Sequence, residues 1–273
     1  MPSTTCLVDP LPEGVSRALV EQVELAGLRA SQPPEELEID GWLLRCLPGK
    51  AKRARCVNAL RAGERSLDDK LAECARLFRE AGLPLYMRIT PFSAPTGLDE
   101  ALAARGWARH DATRVLVHPR LEALAPMDRP AGLCTQATGA DDYALAVGLL
   151  RGSSTAEIAA HAQRLRASPV PYRGCVWRQG AQSEVVACAQ VARDGELAGL
   201  YDVCTAPAAR GRGLATALCA SVLREAHEAG ARIGYLQVDA DNAAALTVYR
   251  RLGFVDAYGY HYRLAPEVEA SAH

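Results

Sequence analysis

Two glycine-terminated helix–strand segments recur in the chain at almost the same spacing, and this recurrence limits the fold more than any other feature. Arg79-Glu80-Ala81-Gly82-Leu83-Pro84-Leu85-Tyr86-Met87-Arg88-Ile89 closes a helical pattern at Gly82 and enters a strand-like run. His227-Glu228-Ala229-Gly230-Ala231-Arg232-Ile233-Gly234-Tyr235-Leu236-Gln237-Val238 does the same at Gly230, 148 positions on. Leu102-Ala103-Ala104-Arg105-Gly106-Trp107 is matched by Tyr249-Arg250-Arg251-Leu252-Gly253-Phe254, 147 positions on. Two separate matches in nearly one register describe two copies of one α/β unit. The apolar stripes agree. Leu71, Cys74, Ala75 and Phe78 fall at helical spacing in the first copy, as do Leu214, Leu218, Cys219, Val222, Leu223 and Ala226 in the second. Gly82 and Gly230 stand where a left-handed residue ends a helix.

The 273 residues are enough for two ordinary domains. Pro119, Pro126 and Pro130 mark a connector, so the expected division is 1–118, a linker at 119–130, a second domain at 131–265 and a polar tail at 266–273. The second domain reads as a strand (133–138), two helices (140–151, 155–167), three strands (174–178, 184–191, 196–205), a helix (214–229), a strand (233–238), a helix (243–252) and a strand (254–263). That is an α/β (α+β) fold with a central mixed sheet flanked by helices in each unit. A net charge of −1 argues against general nucleic-acid binding. No apolar run approaches the ~18 residues of a membrane span. Met1-Pro2-Ser3-Thr4-Thr5 lacks the start of a signal peptide. Nine cysteines without a C-x-x-C pair fit reduced thiols in a cytoplasm and no metal site.

The stretch Leu200-Tyr201-Asp202-Val203-Cys204-Thr205-Ala206-Pro207-Ala208-Ala209-Arg210-Gly211-Arg212-Gly213-Leu214-Ala215 carries the chemistry. A strand ends near Thr205 and a helix opens at Leu214. The first N–H groups of a helix lack internal partners and carry the positive end of its dipole. Gly211 and Gly213 admit a ligand close to the backbone, and Arg210 and Arg212 add charge, which together describe a pyrophosphate cradle. The P-loop string G-x-x-x-x-G-K-[ST] does not occur. A dinucleotide fingerprint would need glycine at Thr216 and no spacer after the strand; Asp239, at the end of the next strand, keeps that reading as a weak alternative.

These residues resemble the GNAT superfamily of acyl-CoA-dependent N-acetyltransferases. Its signature [QR]-x-x-G-x-[GA] is matched by Arg210-Gly211-Arg212-Gly213-Leu214-Ala215, and a second block by Asn242-Ala243-Ala244-Ala245-Leu246-Thr247-Val248-Tyr249-Arg250-Arg251-Leu252-Gly253-Phe254. The resemblance covers about residues 131–265. Through the repeat, the first half resembles a degenerate unit whose cradle counterpart, Ala62-Gly63-Glu64-Arg65-Ser66-Leu67, has lost the motif and is expected to hold no CoA. The resemblance implies acetyl-CoA as co-substrate. Backbone groups of Val203, Cys204 and Thr205 would pair with its pantetheine arm, Arg210–Ala215 would hold its pyrophosphate, Asn242 would contact it, and Tyr249 would protonate the leaving thiolate. The expected acceptor is a small-molecule amine, or else a protein amine, in a monomer or homodimer.

The same residues have plainer readings. Asn242 suits an N-cap, Tyr249 a core tyrosine, Cys204 a small buried hydrophobe and His261 a residue on a sheet surface. Alternation puts Tyr201 and Val203 on one strand face and Asp202 on the other, so Tyr201, Asp202 and Asp239 are candidate substrate-lining groups. The general base stays open between Asp202, Asp239 and a water relay. A non-catalytic acyl-CoA sensor remains the alternative function. Each half also lacks one of the two closing strands of such a fold, so the halves are expected to complete one another's sheets.

Overall fold

The helices that precede Gly82, Gly106, Gly230 and Gly253 all end in the same hydrogen-bonded turn, at matching places in the two halves, which makes the repeat physical. In the computed structural model, residues 7–46, 51–180 and 184–266 are described. Helix α1 spans Arg17–Ala30, followed by strands β1 (Leu37–Ile39), β2 (Trp42–Leu44) and β3 (Val57–Ala59). Next come α2 (Leu67–Glu80), β4 (Tyr86–Ile89), α3 (Leu98–Ala104) and β5 (Ala108–His118). The second half runs β6 (Leu133–Thr138), α4 (Ala140–Leu150), α5 (Thr155–Ala167), β7 (Tyr172–Gln179), β8 (Glu184–Asp194), β9 (Leu197–Thr205), α6 (Leu214–Glu228), β10 (Ile233–Asp239), α7 (Ala243–Arg251) and β11 (Val255–Leu264). After α2, α6, α3 and α7, an N–H reaches back five residues: Leu83 to Phe78, Ala231 to Ala226, Trp107 to Leu102 and Phe254 to Tyr249, at 2.9 to 3.1 Å. Gly82, Gly230, Gly106 and Gly253 take the left-handed residue each turn requires.

The structure also explains the two offsets. Helix α6 has 15 residues and α2 has 14, so the N-caps Gly213 and Ser66 stand 147 apart and the terminal glycines 148. Aligned on its cap, the counterpart of the cradle begins at Gly63, one residue later than the sequence match places it.

The compact units are interleaved rather than contiguous. Among the described residues, one is drawn from Leu7, 35–113 and 258–266, and the other from 8–34 and 114–257. The expected boundaries at 118 and 131 therefore do not coincide with them, and 119–130 lies within the second unit, carrying a short 3-10 turn at Leu121–Ala123. In the first unit β1, β2 and β3 are antiparallel neighbours, β3 and β4 are parallel, and β11 closes the sheet antiparallel to β4, with His261 opposite Ile89. In the second unit β6, β7, β8 and β9 are successive antiparallel neighbours and β9 and β10 are parallel, with β5 beside β10. Both units thus have mixed sheets built in the same order, and each half gives its last strand to the sheet begun by the other.

Alternation along β7 and β8 sorts the second core into two layers. Cys175, Trp177, Ala187, Ala189 and Val191 face α6, which buries Leu214, Leu218, Cys219 and Leu223. Val176 and Cys188 face α4 and α5, which bury Tyr143, Val147, Ala162 and Leu165. The first unit packs Trp42, Phe78, Met87 and Leu102 into its own core. His261 is not on a sheet surface. It is fully buried, with Nε2 2.9 Å from Asp99 Oδ1, and Arg263 donates to the same oxygen at 2.7 Å. Tyr260 and Tyr262 are buried as well, so both faces of β11 are covered and alternation alone does not tell exposure there. The residues Met1–Thr5 and Glu267–His273 lie outside the described residues.

Candidate active site

The parallel pairing of β9 with β10 runs from Leu197↔Ile233 to Leu200↔Leu236 and ends there, although β9 continues to Thr205 and β10 to Asp239. Beyond Leu200 the strands separate. Crowding at the root of the fork is visible at Gly199, where a Cβ would fall 2.5 Å from the rings of both Tyr201 and Tyr235. Those two rings meet edge to face, and the Tyr201 hydroxyl donates to Tyr235 Oη at 3.1 Å. On its other edge, β9 stays paired with β8 but carries a bulge between Tyr201 and Cys204. Asp202, within it, has φ +50°, a left-handed conformation uncommon outside glycine.

The fork opens into a cleft of about 610 Å³. One wall is β9 at Val203, Cys204 and Thr205; the floor is the turn from Ala209 through Gly211 and Gly213 to Thr216; the opposite wall is α7, with Ala245, Val248 and Tyr249. Gly213 is the N-cap of α6 with φ +75° and no side chain caps the helix, so its first-turn N–H groups point outward without a protein substitute for a ligand. Gly211 has φ +74°. Arg210 lines the cleft, its Nε donating to the Thr205 carbonyl at 3.4 Å, while Arg212 reaches out to Gln179 at 3.2 Å. Asn242 accepts from the Ala245 N–H at 3.0 Å, the N-cap that its position in the sequence suggests, and also lines the cleft. The Tyr249 ring packs edge to face on Phe254 at 6.1 Å, and burial pushes its phenol well above the usual tyrosine range.

Residues 150–254 match the acetyltransferase (GNAT) family, and the matched span includes the strand fork, the glycine-lined helix N-terminus and the tyrosine on the following helix. The match places a GNAT acetyltransferase domain at residues 150–254. A mycothiol acetyltransferase from Streptomyces scabiei is 48% identical over 60 residues, a match covering 22% of this chain and 20% of that protein. A GCN5-related N-acetyltransferase from Kribbella flavida has the same overall fold, with a TM-score of 0.62 at 17% identity over 93% of this chain and 97% of that one. A tandem GNAT protein from the clavulanic acid biosynthesis pathway superposes with a TM-score of 0.58 at 18% identity, over 74% of this chain and 70% of that one.

Within the GNAT domain, Val203, Cys204, Thr205, Arg210, Gly211, Gly213, Leu214, Ala215, Asn242 and Tyr249 all line the cleft; Tyr201, Asp202, Arg212 and Asp239 do not. Tyr201 is buried at the root of the fork. Asp239 is exposed at the end of β10, where its carboxylate accepts from the Asp241 N–H at 2.8 Å. Asp202 turns to the face carrying α4 and α5. There Arg151 Nη1 donates to Oδ1 at 2.8 Å and Gln190 Nε2 to Oδ2 at 2.6 Å. His161 Nε2 lies 3.1 Å and Arg164 Nη2 3.8 Å from Oδ2. Burial alone would raise the Asp202 carboxyl, but the close approach of His161 and the Arg151 and Arg164 charges outweigh it and hold the group well below the carboxylate range.

Arg151, His161, Arg164 and Gln190 were not legible as a site in the sequence. His161 and Arg164 stand three apart on α5, a spacing that gives one helix face, but nothing local points them at Asp202. Thr247 and Arg251, which also line the cleft, stand four apart on α7 and so share one helix face, but neither is at that spacing from Tyr249. Cys188 and Cys219 are buried, their thiols pushed up to about 12, which leaves neither as a thiolate at neutral pH. The eight described cysteines are free. Among the described residues, no cluster of His, Cys, Asp and Glu could hold a metal, and no helix is long and apolar enough to cross a membrane.

Proposed function

We propose that the protein transfers the acetyl group of acetyl-CoA to a primary amine of a small molecule, both substrates being bound together. One arrangement carries this reading: the β9–β10 fork leads into a cleft with an uncapped helix N-terminus at one side and a buried phenol at the other. The residues fit the co-substrate. The edge Val203–Thr205, unpaired by β10, offers backbone groups to an extended pantetheine arm. Gly211, Gly213 and the first N–H groups of α6, with Arg210 and Arg212, suit a pyrophosphate. The cleft volume lies within the ~300–1,000 Å³ usual for small-ligand sites. Similarity to a mycothiol acetyltransferase supports a small-molecule acceptor over a protein one.

Acetyl-CoA, when bound, supplies the thioester carbon for attack and a thiolate as leaving group. Tyr249 stays protonated at neutral pH because burial disfavours the phenolate, and its hydroxyl holds the proton that a departing thiolate takes. Asp202 is committed to its cationic partners, which suits it poorly to accept a proton. Asp239 lies outside the cleft, so of the candidate bases a water relay is left to relieve the amine of its proton.

The test is acetylation of a panel of small primary amines, read as free-thiol release and product mass. We expect at least one acetylated amine, and Tyr249→Phe to lower turnover by about 10²-fold or more with little change in acetyl-CoA affinity. A protein that binds acetyl-CoA, acetylates nothing in the panel and is unchanged by Tyr249→Phe is a sensor.

A further inference from the structure

We infer that Asp202 is a positioning residue: its ion-paired carboxylate holds the kink in β9 that opens the acyl-CoA cleft. The inference rests on the cleft being the acyl-CoA site. A β-strand next to a parallel partner has no local reason to leave it after four pairs, and β10 continues for three residues past the last of them. The cause must be a local change in β9, and β9 has one. The bulge between Tyr201 and Cys204 bends the strand just past Leu200, where pairing ends.

A bulge with an aspartate at φ +50° persists only if its surroundings over-determine it. Here they do, and from three elements. The cap of α4 supplies Arg151, α5 supplies His161 and Arg164, and β8 supplies Gln190, all converging on the one carboxylate. The Asp202 carbonyl is held too, accepting from the Tyr143 hydroxyl at 3.0 Å, with Cys188 Sγ at 3.8 Å. Side chain and carbonyl are thus anchored to the α4–α5 face, while the next residue, Val203, lines the cleft. Asp202 itself is outside the cleft, so it acts through the backbone it holds. A surface ion pair placed for stability alone would not need four partners on a residue in a left-handed bulge.

Asp202→Gly separates the two parts of this device, because glycine accepts φ +50° without strain and removes only the carboxylate. Arg151→Met weakens the anchor from the other side and leaves β9 unaltered. Ser154→Ala, which breaks the capping box of α5 formed with Glu157, serves as a control that loosens the region without touching the anchor. Two readouts are taken: acetyl-CoA affinity by calorimetry and backbone hydrogen exchange over residues 200–206 without ligand.

We expect Asp202→Gly to weaken acetyl-CoA binding about tenfold and to speed exchange over 200–206. Arg151→Met should follow in the same direction with a smaller effect, and Ser154→Ala should move neither. Wild-type affinity and wild-type exchange in Asp202→Gly would overturn the inference. If that variant does not fold, the same pair of null results in Arg151→Met overturns it. If the wild type binds no acetyl-CoA, the functional reading has failed, and the exchange measurement alone decides whether Asp202 holds the bulge.

Discussion

The turns that open α2 and α6 start from one repeated pattern and end as opposites. At α6 the N-cap is Gly213, no side chain reaches back to the first-turn N–H groups, and the turn forms the floor of a cleft. At α2 the N-cap is Ser66, whose hydroxyl accepts from the Asp69 N–H, and the preceding turn is filled by a carboxylate of the same unit. Asp40 accepts from the Glu64 N–H at 2.9 Å and from the Arg65 N–H at 2.9 Å, and the buried Lys70 Nζ lies 3.4 Å from it. These backbone hydrogen bonds, with Lys70, hold the Asp40 carboxyl below its usual range. The first unit supplies its own anion at a position that the second leaves uncapped. The other half of the chemistry diverges in parallel. The repeat position of Tyr249 is Leu102, fully buried in the first core and without a proton to give. The turn filled by a carboxylate and the leucine at the tyrosine position therefore go together in one unit.

The largest effect is expected from making the second turn like the first. Saturating acetyl-CoA at ~100 times Kd should stabilise the wild type by about 2.7 kcal/mol, and Arg210→Glu should remove that shift in Tm. Gly213→Ala comes next. Its Cβ would meet nothing within 4 Å, but an L-residue at φ +75° costs about 1–2 kcal/mol, so unfolding should show a loss of that order without steric disruption. Asp40→Asn removes the internal anion beside Lys70. It should lower Tm by less and leave acetyl-CoA affinity within about twofold, since the two turns act separately.

The smallest effect is in pH. The Asp202 carboxyl is held well below its ordinary 3.8 in the folded state. Its ionic contribution is therefore complete above the unfolded value of ~3.9 and is lost only as pH falls through the lower folded one. The difference in stability between wild type and Asp202→Asn should shrink as pH falls below about 4, as followed by chemical denaturation.

What was legible in the sequence was local. The helix-ending glycines, the order of elements in the second half and the Arg210–Ala215 turn are set by patterns within a few residues, and the structure has them where the patterns place them. The exchange of last strands was legible only as a shortage, because one strand after Gly253 cannot close a sheet that needs two. Other features depend on partners far along the chain. The Asp202 anchor joins residues 151, 161, 164 and 190 to 202, and His261 is buried on Asp99, 162 positions away. Similarly, α1 belongs to the unit formed mostly by the second half, where the Ala30 carbonyl accepts from the Tyr172 hydroxyl at 2.7 Å. Alternation and helical period report which face a residue takes, and are silent on what covers that face.

The contrast between the two turns is tested most directly by counting acetyl-CoA molecules per chain by calorimetric titration, on the wild type and on Arg210→Glu. One bound acetyl-CoA per chain, abolished in Arg210→Glu, is the predicted result. Two per chain, or one that survives Arg210→Glu, would mean that the first turn is open to ligand or that the α6 cleft is not the acyl-CoA site.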